Sequence, residues 1–209
     1  MALTKAHSTI RALHAVEARS YARDAEGLLA QLQDADPVVR RWAARDLASC
    51  AQSAPDLCAR LQVETDPTVR SVLFTSLACV GGDDTVAGLL PLLRSEDAAL
   101  RNGAIEVLAR LPDAVLPHLD ALLHDADGDV RIFAVNLLGD LPHPDVPLWL
   151  ERVLHEEAAV NVVAAALEVL AEIGTPDSLG ALVAARRRFA DDPYIGFAAD
   201  LAQSRIEAA

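Results

Sequence analysis

The feature that most constrains this chain is that it repeats itself. Asp36-Pro37-Val38-Val39-Arg40 returns as Asp66-Pro67-Thr68-Val69-Arg70, then as Asp97-Ala98-Ala99-Leu100-Arg101 and Asp127-Gly128-Asp129-Val130-Arg131, at spacings of 30, 31 and 30 residues. Seven positions after each Arg stands a Leu: Leu47, Leu77, Leu108 and Leu138. A fixed period of this length marks a solenoid built from one supersecondary unit and outranks local propensity.

Each unit reads as two short helices. The repeat Asp suits an N-cap, because its carboxylate accepts from an otherwise orphan amide. Pro at the next position suits the first helical residue, where no amide bond is required. The apolar residue before each Arg, the Leu after it, and Ala43, Leu73, Ala104 and Ala134 between them fall on one helical face. These second helices end at Gly or Pro. The first helices are the Leu-rich stretches before them, such as Val86 to Arg94, Val115 to His124 and Val146 to His155. One pair cannot bury its apolar stripe alone, whereas stacked pairs merge the stripes into a continuous core. The expected fold is all-α, an α-solenoid of about five to six stacked antiparallel helix pairs. It fills residues 1–209 as a single domain, with an N-terminal amphipathic helix or cap over 1–23, repeats over 24–191 and a capping helix over 192–209.

The pattern weakens toward the end. Seven positions before Leu170 stands Val163 instead of Arg, and the loop at Glu156 and Glu157 reads as longer. Asp192-Pro193-Tyr194-Ile195 opens a last helix, as expected of a terminal unit with one face in water. At the other end Leu3, Ala6, Ile10 and Leu13 alternate at three and four spacings. They describe an amphipathic helix that caps the first pair or else docks on a partner. The basic residues here have the charge pattern of a transit peptide, but the helix is the simpler reading, and no apolar secretory core is present.

Composition narrows function. Eighteen Lys plus Arg against 31 Asp plus Glu leave a net charge of −13, which argues against nucleic acid and anionic membranes as partners. Aromatics are only 4%, which fits an Ala, Leu and Val core between closely packed helices and weakens an enzyme reading, since cofactor pockets draw on aromatics. No apolar run is long enough to span a bilayer. Cys50, Cys58 and Cys79 lack CxxC spacing and read as reduced thiols, which places the chain in the cytoplasm.

At the Asp-Pro-x-Val-Arg phrase and its following Ala and Leu, the sequence resembles the HEAT-repeat family, in particular bacterial and phycobilisome-lyase-type repeats. The resemblance runs from about Asp24 to Glu207. It implies a scaffold or adaptor whose concave face, lined by second helices, holds another protein. Some relatives attach or detach bilin chromophores, and related superhelices bind alkylated DNA.

Several constellations bear on function. Asp36 with Arg40, Asp66 with Arg70, Asp97 with Arg101 and Asp127 with Arg131 form a ladder. It could be an anion-binding row, but the two residue types recur together, which favours ties within or between inter-helix turns. Arg94, His124, His155 and Arg186 form a second column at helix C-termini. Dipole complementation explains it better than a two-histidine metal site, because flanking Arg would repel a metal. Arg186-Arg187-Arg188 reads as a solvated helix end. The residues expected to project from the second helices are Arg41, Trp42, Arg45, Ser71, Thr75, Asn102, Glu106, Ile132, Phe133 and Asn136. Trp42 and Phe133 would anchor a partner if exposed. No catalytic, cofactor-binding or metal-ligating residue is singled out.

The expectation is therefore a non-enzymatic scaffold that is a monomer or weak homodimer, binds one protein through its second helices, and assists assembly or maturation of a larger complex. The alternative is a bilin lyase-like or other cofactor-handling protein. A DNA-repair superhelix is disfavoured by the charge.

Overall fold

The computed structural model describes residues 22–208, and within them the chain is an all-α solenoid of six helix pairs. The pairs are α1 (Ala25–Gln31) with α2 (Pro37–Leu47), α3 (Ala54–Val63) with α4 (Pro67–Val80), and α5 (Gly82–Leu89) with α6 (Ala98–Leu108). They continue as α7 (Pro112–Leu123) with α8 (Gly128–Asp140), α9 (Val146–Glu156) with α10 (Val160–Ile173), and α11 (Leu179–Arg188) with α12 (Pro193–Ala208). No strand occurs among the described residues. Second helices pack on second helices along the array, α2 on α4 through to α10 on α12, while first helices form the other layer.

The repeat residues sit where the period requires. Asp36, Asp66, Asp97 and Asp127 are extended N-cap residues. Their carboxylates accept from the amides of Val38, Thr68, Ala99 and Asp129 at 2.8, 2.8, 2.9 and 2.9 Å. Leu47, Leu77, Leu108, Leu138 and Leu170 are buried, and so are Ala43, Leu73, Ala104, Ala134 and Ala166 four positions earlier. Small residues at this contact let the helices approach closely. Gly103 is the extreme case, because a Cβ there would stand 2.4 Å from the Phe74 ring of the preceding pair.

Local chemistry adjusts the first helices. The third one begins at Gly82, not Val86, because Gly81 at φ 62 ends α4 and Gly82 at φ 76 turns the chain directly into α5. Pro91 then removes an amide, and Leu90–Arg94 continues as a 3-10 turn. Pro117 lies inside α7 and withholds a donor from the carbonyl of Asp113, which faces solvent. In the fifth pair Val163 is fully buried where the first four units carry Arg, and α10 lacks a side-chain cap at Ala159. Instead Glu157 accepts from the Ala159 amide at 2.7 Å, so the connection after α9 is only three residues long. The expectations for residues 1–21 lie outside the described residues.

Candidate functional site

The ladder is built on a shared backbone contact. Arg40, Arg70, Arg101 and Arg131 each donate to the carbonyl six residues earlier, on Asp34, Glu64, Ser95 and Asp125, at 2.9, 2.7, 2.5 and 2.7 Å. Each guanidinium thereby satisfies a carbonyl that the inter-helix turn leaves without a helical partner.

The carboxylate partners differ from the expected Asp residues at most rungs. Only Arg70 reaches the repeat Asp of the next turn, with Nη1 2.7 Å from Asp97 Oδ2. Arg40 grips Glu64 and Arg131 grips Glu157. Arg101 is the odd rung. Its guanidinium lies over the Phe133 ring, 5.8 Å from the centroid, and among the described residues it forms no ion pair. The physical reason lies two residues before the N-cap of each second helix from α2 to α10. That column reads Asp34, Glu64, Ser95, Asp125 and Glu157. Where it holds Glu, the longer side chain reaches back to the preceding Arg. Ser95 cannot pair, so Arg70 turns to Asp97; Asp125 is drawn to Arg94 instead of Arg101. The column is visible in the sequence at near-constant spacing, but its mixed Asp, Glu and Ser identity hides it.

Glu64 is the most tightly held group. Its side chain is fully buried and accepts from Arg40 Nε and Nη2 at 2.8 Å each, Arg60 Nε at 3.0 Å, and the amides of Thr65 and Asp66 at 3.0 and 2.9 Å. Burial alone would raise its pKa, but the Arg40 hydrogen bond, the Asp66 amide and Arg60 pull it down to about 2. Burial also opposes ionisation of Glu157, and Arg131 with the Ala159 amide lowers its pKa below the usual carboxylate range.

The remaining columns are tied up similarly. Arg94 pairs with Asp125 and Arg186 with Asp200. His124 Nδ1 lies 2.7 Å from the Asp120 carbonyl, while Nε2 is 3.9 Å from Glu156 Oε2. Arg188 donates to the carbonyls of Leu154 and Glu157. No group of three metal-ligating side chains is placed to hold an ion among the described residues. Cys58 is buried and its thiol is pushed up to about 11 by that burial, whereas Cys79 is exposed.

The second helices present the expected face in part. Arg45, Ser71, Thr75, Asn102, Glu106 and Asn136 are exposed, whereas Arg41, Trp42, Ile132 and Phe133 are half-buried. Trp42 and Phe133 therefore pack largely between helices instead of projecting as free anchors. Among the described residues the exposed aromatics are on α12, where Tyr194 is 49% and Phe197 65% exposed beside Leu201 at 42%. Tyr194 donates its hydroxyl to Glu168 on α10, which places this apolar row on the second-helix face. The sequence reading treats this helix only as a wet cap, although the i, i+3, i+7 spacing of these residues is legible in it.

A cleft of about 350 Å³ opens between the end of α7 and α9. Leu123, Trp149 and Val153 line its apolar side, and His124, Arg131, Arg152 and Glu156 its polar side. Trp149 is held by stacking on His143, with ring centroids 4.8 Å apart and 22° between planes. No helix among the described residues is long and apolar enough to cross a membrane.

Comparison with known proteins adds to this geometry. The chain is 30% identical over 153 residues to the bilin biosynthesis protein PecE of Mastigocladus laminosus, a match covering 71% of this chain and 56% of the relative. The chain thus spans little more than half the length of that curated relative. Among solved structures it resembles an engineered protein at 21% identity and a TM-score of 0.44, covering 89% of this chain and 99% of that one. It also resembles the complex of CpcE and CpcF of phycocyanin lyase from Nostoc sp. PCC7120, at 18% identity and a TM-score of 0.40, covering 95% of this chain and 100% of that one. The likeness to a bilin biosynthesis protein overturns the expectation that the chain has no enzymatic role. The scarcity of aromatics behind that expectation describes the packed core, and it does not bear on a site built at a surface cleft. The family model for HEAT repeats matches residues 25–109, 54–130 and 115–199, which together run from the first helix pair into the last, and the chain belongs to the HEAT-repeat family.

Proposed function

We propose that this chain handles an open-chain tetrapyrrole, a bilin, together with a protein held on its second-helix face, and takes part in attaching the bilin to a protein or removing it. The observation that carries this reading is the 30% identity over 153 residues to a bilin biosynthesis protein. The cleft beside α9 supports it chemically. A bilin carries a conjugated planar system and two propionates, and this cleft offers a Trp149 wall with Arg152 and His124 at its rim. Arg152 is only half-engaged, at 3.7 Å from Asp120, and is free to turn toward a propionate. The protein-binding part of the reading rests on the exposed row from Arg45 through Thr75, Asn102 and Glu106 to Asn136, mixed in charge as protein interfaces are. A net charge of −13 makes nucleic acid an unsuitable partner. Three thiols without a disulfide fit a reducing compartment such as the cytoplasm. Helix pairs over residues 24–191 and the helix from 192 would work as one continuous domain.

The test is absorption and fluorescence spectroscopy of the purified chain mixed with biliverdin or phycocyanobilin, with and without an apo-phycobiliprotein subunit. A saturable red shift on binding, followed by covalent bilin on the acceptor, supports the proposal. An unchanged bilin spectrum and an unmodified acceptor would exclude it.

A further inference from the structure

The last helix leaves an apolar row uncovered on the second-helix face. In α12 the residues Ile195, Ala198, Ala199, Ala202 and Ile206 are buried against the array, which leaves the opposite side of the helix to Tyr194, Phe197 and Leu201. Large exposed apolar residues in one row mark interaction surfaces. The neighbouring second helix adds acidic groups: Glu168, which holds the Tyr194 hydroxyl, and Glu172 are exposed on α10, and Arg205 is the only cation on α12 itself.

The chain carries a segment complementary to that surface in pattern and charge. Residues 1–21 hold Lys5, Arg11 and Arg19 against Glu17, a balance of 3 − 1 = +2 within a chain of −13. Leu3, Ala6, Ile10 and Leu13 supply an apolar stripe at helical spacing. Reach decides which copy supplies it. The segment joins the array at α1, and α12 closes the opposite end of six pairs. Five steps between neighbouring pairs span about 50 Å at ~10 Å per step, whereas residues 14–21, even fully extended at ~3.4 Å each, would carry the near end of a stripe at 3–13 only about 27 Å from the array.

We propose that residues 3–13 of one copy dock on the Tyr194, Phe197 and Leu201 row of a second copy. Exchange in both directions closes a pair, and one-way docking would add copies in a chain. This inference does not depend on bilin handling, and its readout is mass instead of chromophore.

The experiment uses light scattering on three full-length proteins: wild type, the double variant Leu3→Asp with Ile10→Asp, and the double variant Phe197→Asp with Leu201→Asp. Wild type should rise toward twice the chain mass as concentration increases, and each variant should stay at the mass of one chain. An equimolar mixture of the two variants retains one intact segment facing one intact row. It should therefore associate more than either variant alone and less than wild type. Circular dichroism checks that the helices are kept, and Phe197→Ser repeats the test with a milder change. A wild type that stays at one chain mass at every concentration, variants that associate as wild type does, or a mixture that fails to pair would each overturn the proposal.

Discussion

Arg40 holds Glu64 across 24 residues through two parallel hydrogen bonds of 2.8 Å, and the carboxylate between them is closed to solvent. This pair joins the first turn of α2 to the turn before α4, so it fixes the spacing of the first two helix pairs. Removing Arg40 takes both of these charge-assisted hydrogen bonds from a buried carboxylate that keeps Arg60 and two amides, an effect of about 3 kcal/mol. Arg40→Ala should therefore lower stability by about that amount in urea denaturation. Arg101→Ala, whose side chain meets only a carbonyl and a ring, should cost about 1–2 kcal/mol. Equal losses for the two would show that the carboxylate clamp contributes nothing.

The same pair sets a pH dependence. The Glu64 carboxyl is lowered from 4.5 to about 2 in the folded chain, so its contribution is fully present above the unfolded value and is lost as pH falls through the folded one. Thermal midpoints measured between pH 7 and pH 2 should fall over the window below 4.5, and in Glu64→Gln the drop should be smaller because this group no longer titrates. Parallel curves for the two proteins would remove Glu64 from the acid response.

Leu108 lies fully buried in the middle of the array. Leu108→Ala should cost about 2–5 kcal/mol, as core truncations do. An unchanged thermal midpoint would contradict the placement of this column at the core.

Two glycines of second helices should respond in opposite directions. At Gly103 an added Cβ would meet Phe74 at 2.4 Å, so Gly103→Ala should destabilise by about 1–3 kcal/mol. At Gly196 in α12 nothing lies within 4 Å of the added atom, so Gly196→Ala should stabilise by up to about 1 kcal/mol through helix propensity. Denaturation midpoints on either side of wild type are the expected outcome.

These effects trace how far the sequence could be read. The Asp-Pro caps, the Leu column and the second helices follow from a 30 to 31 residue period, because hydrophobic periodicity and capping act over a few residues along the chain. The Arg40–Glu64 and Arg131–Glu157 clamps act between turns 24 and 26 residues apart. Their carboxylates occupy a column that changes among Asp, Glu and Ser, so alignment on the repeat phrase passes over it. The burial of Trp42 and Phe133 depends on neighbouring helices, and their own helical register does not settle it. The apolar side of α12 was readable as a pattern, but a terminal helix is expected to meet water there, and that general rule hid the row. The cleft at Trp149 gathers residues from α7, α8 and α9, which only stacking brings together.

Bilin handling is tested most directly at that cleft, by titrating biliverdin into wild type, Trp149→Ala and Arg152→Ala while recording the absorption spectrum. The expected result is a saturable red shift in wild type, with apparent affinity at least about tenfold weaker in each variant, the equivalent of about 1.4 kcal/mol. Identical titrations for all three proteins, or no spectral change with wild type, would contradict it.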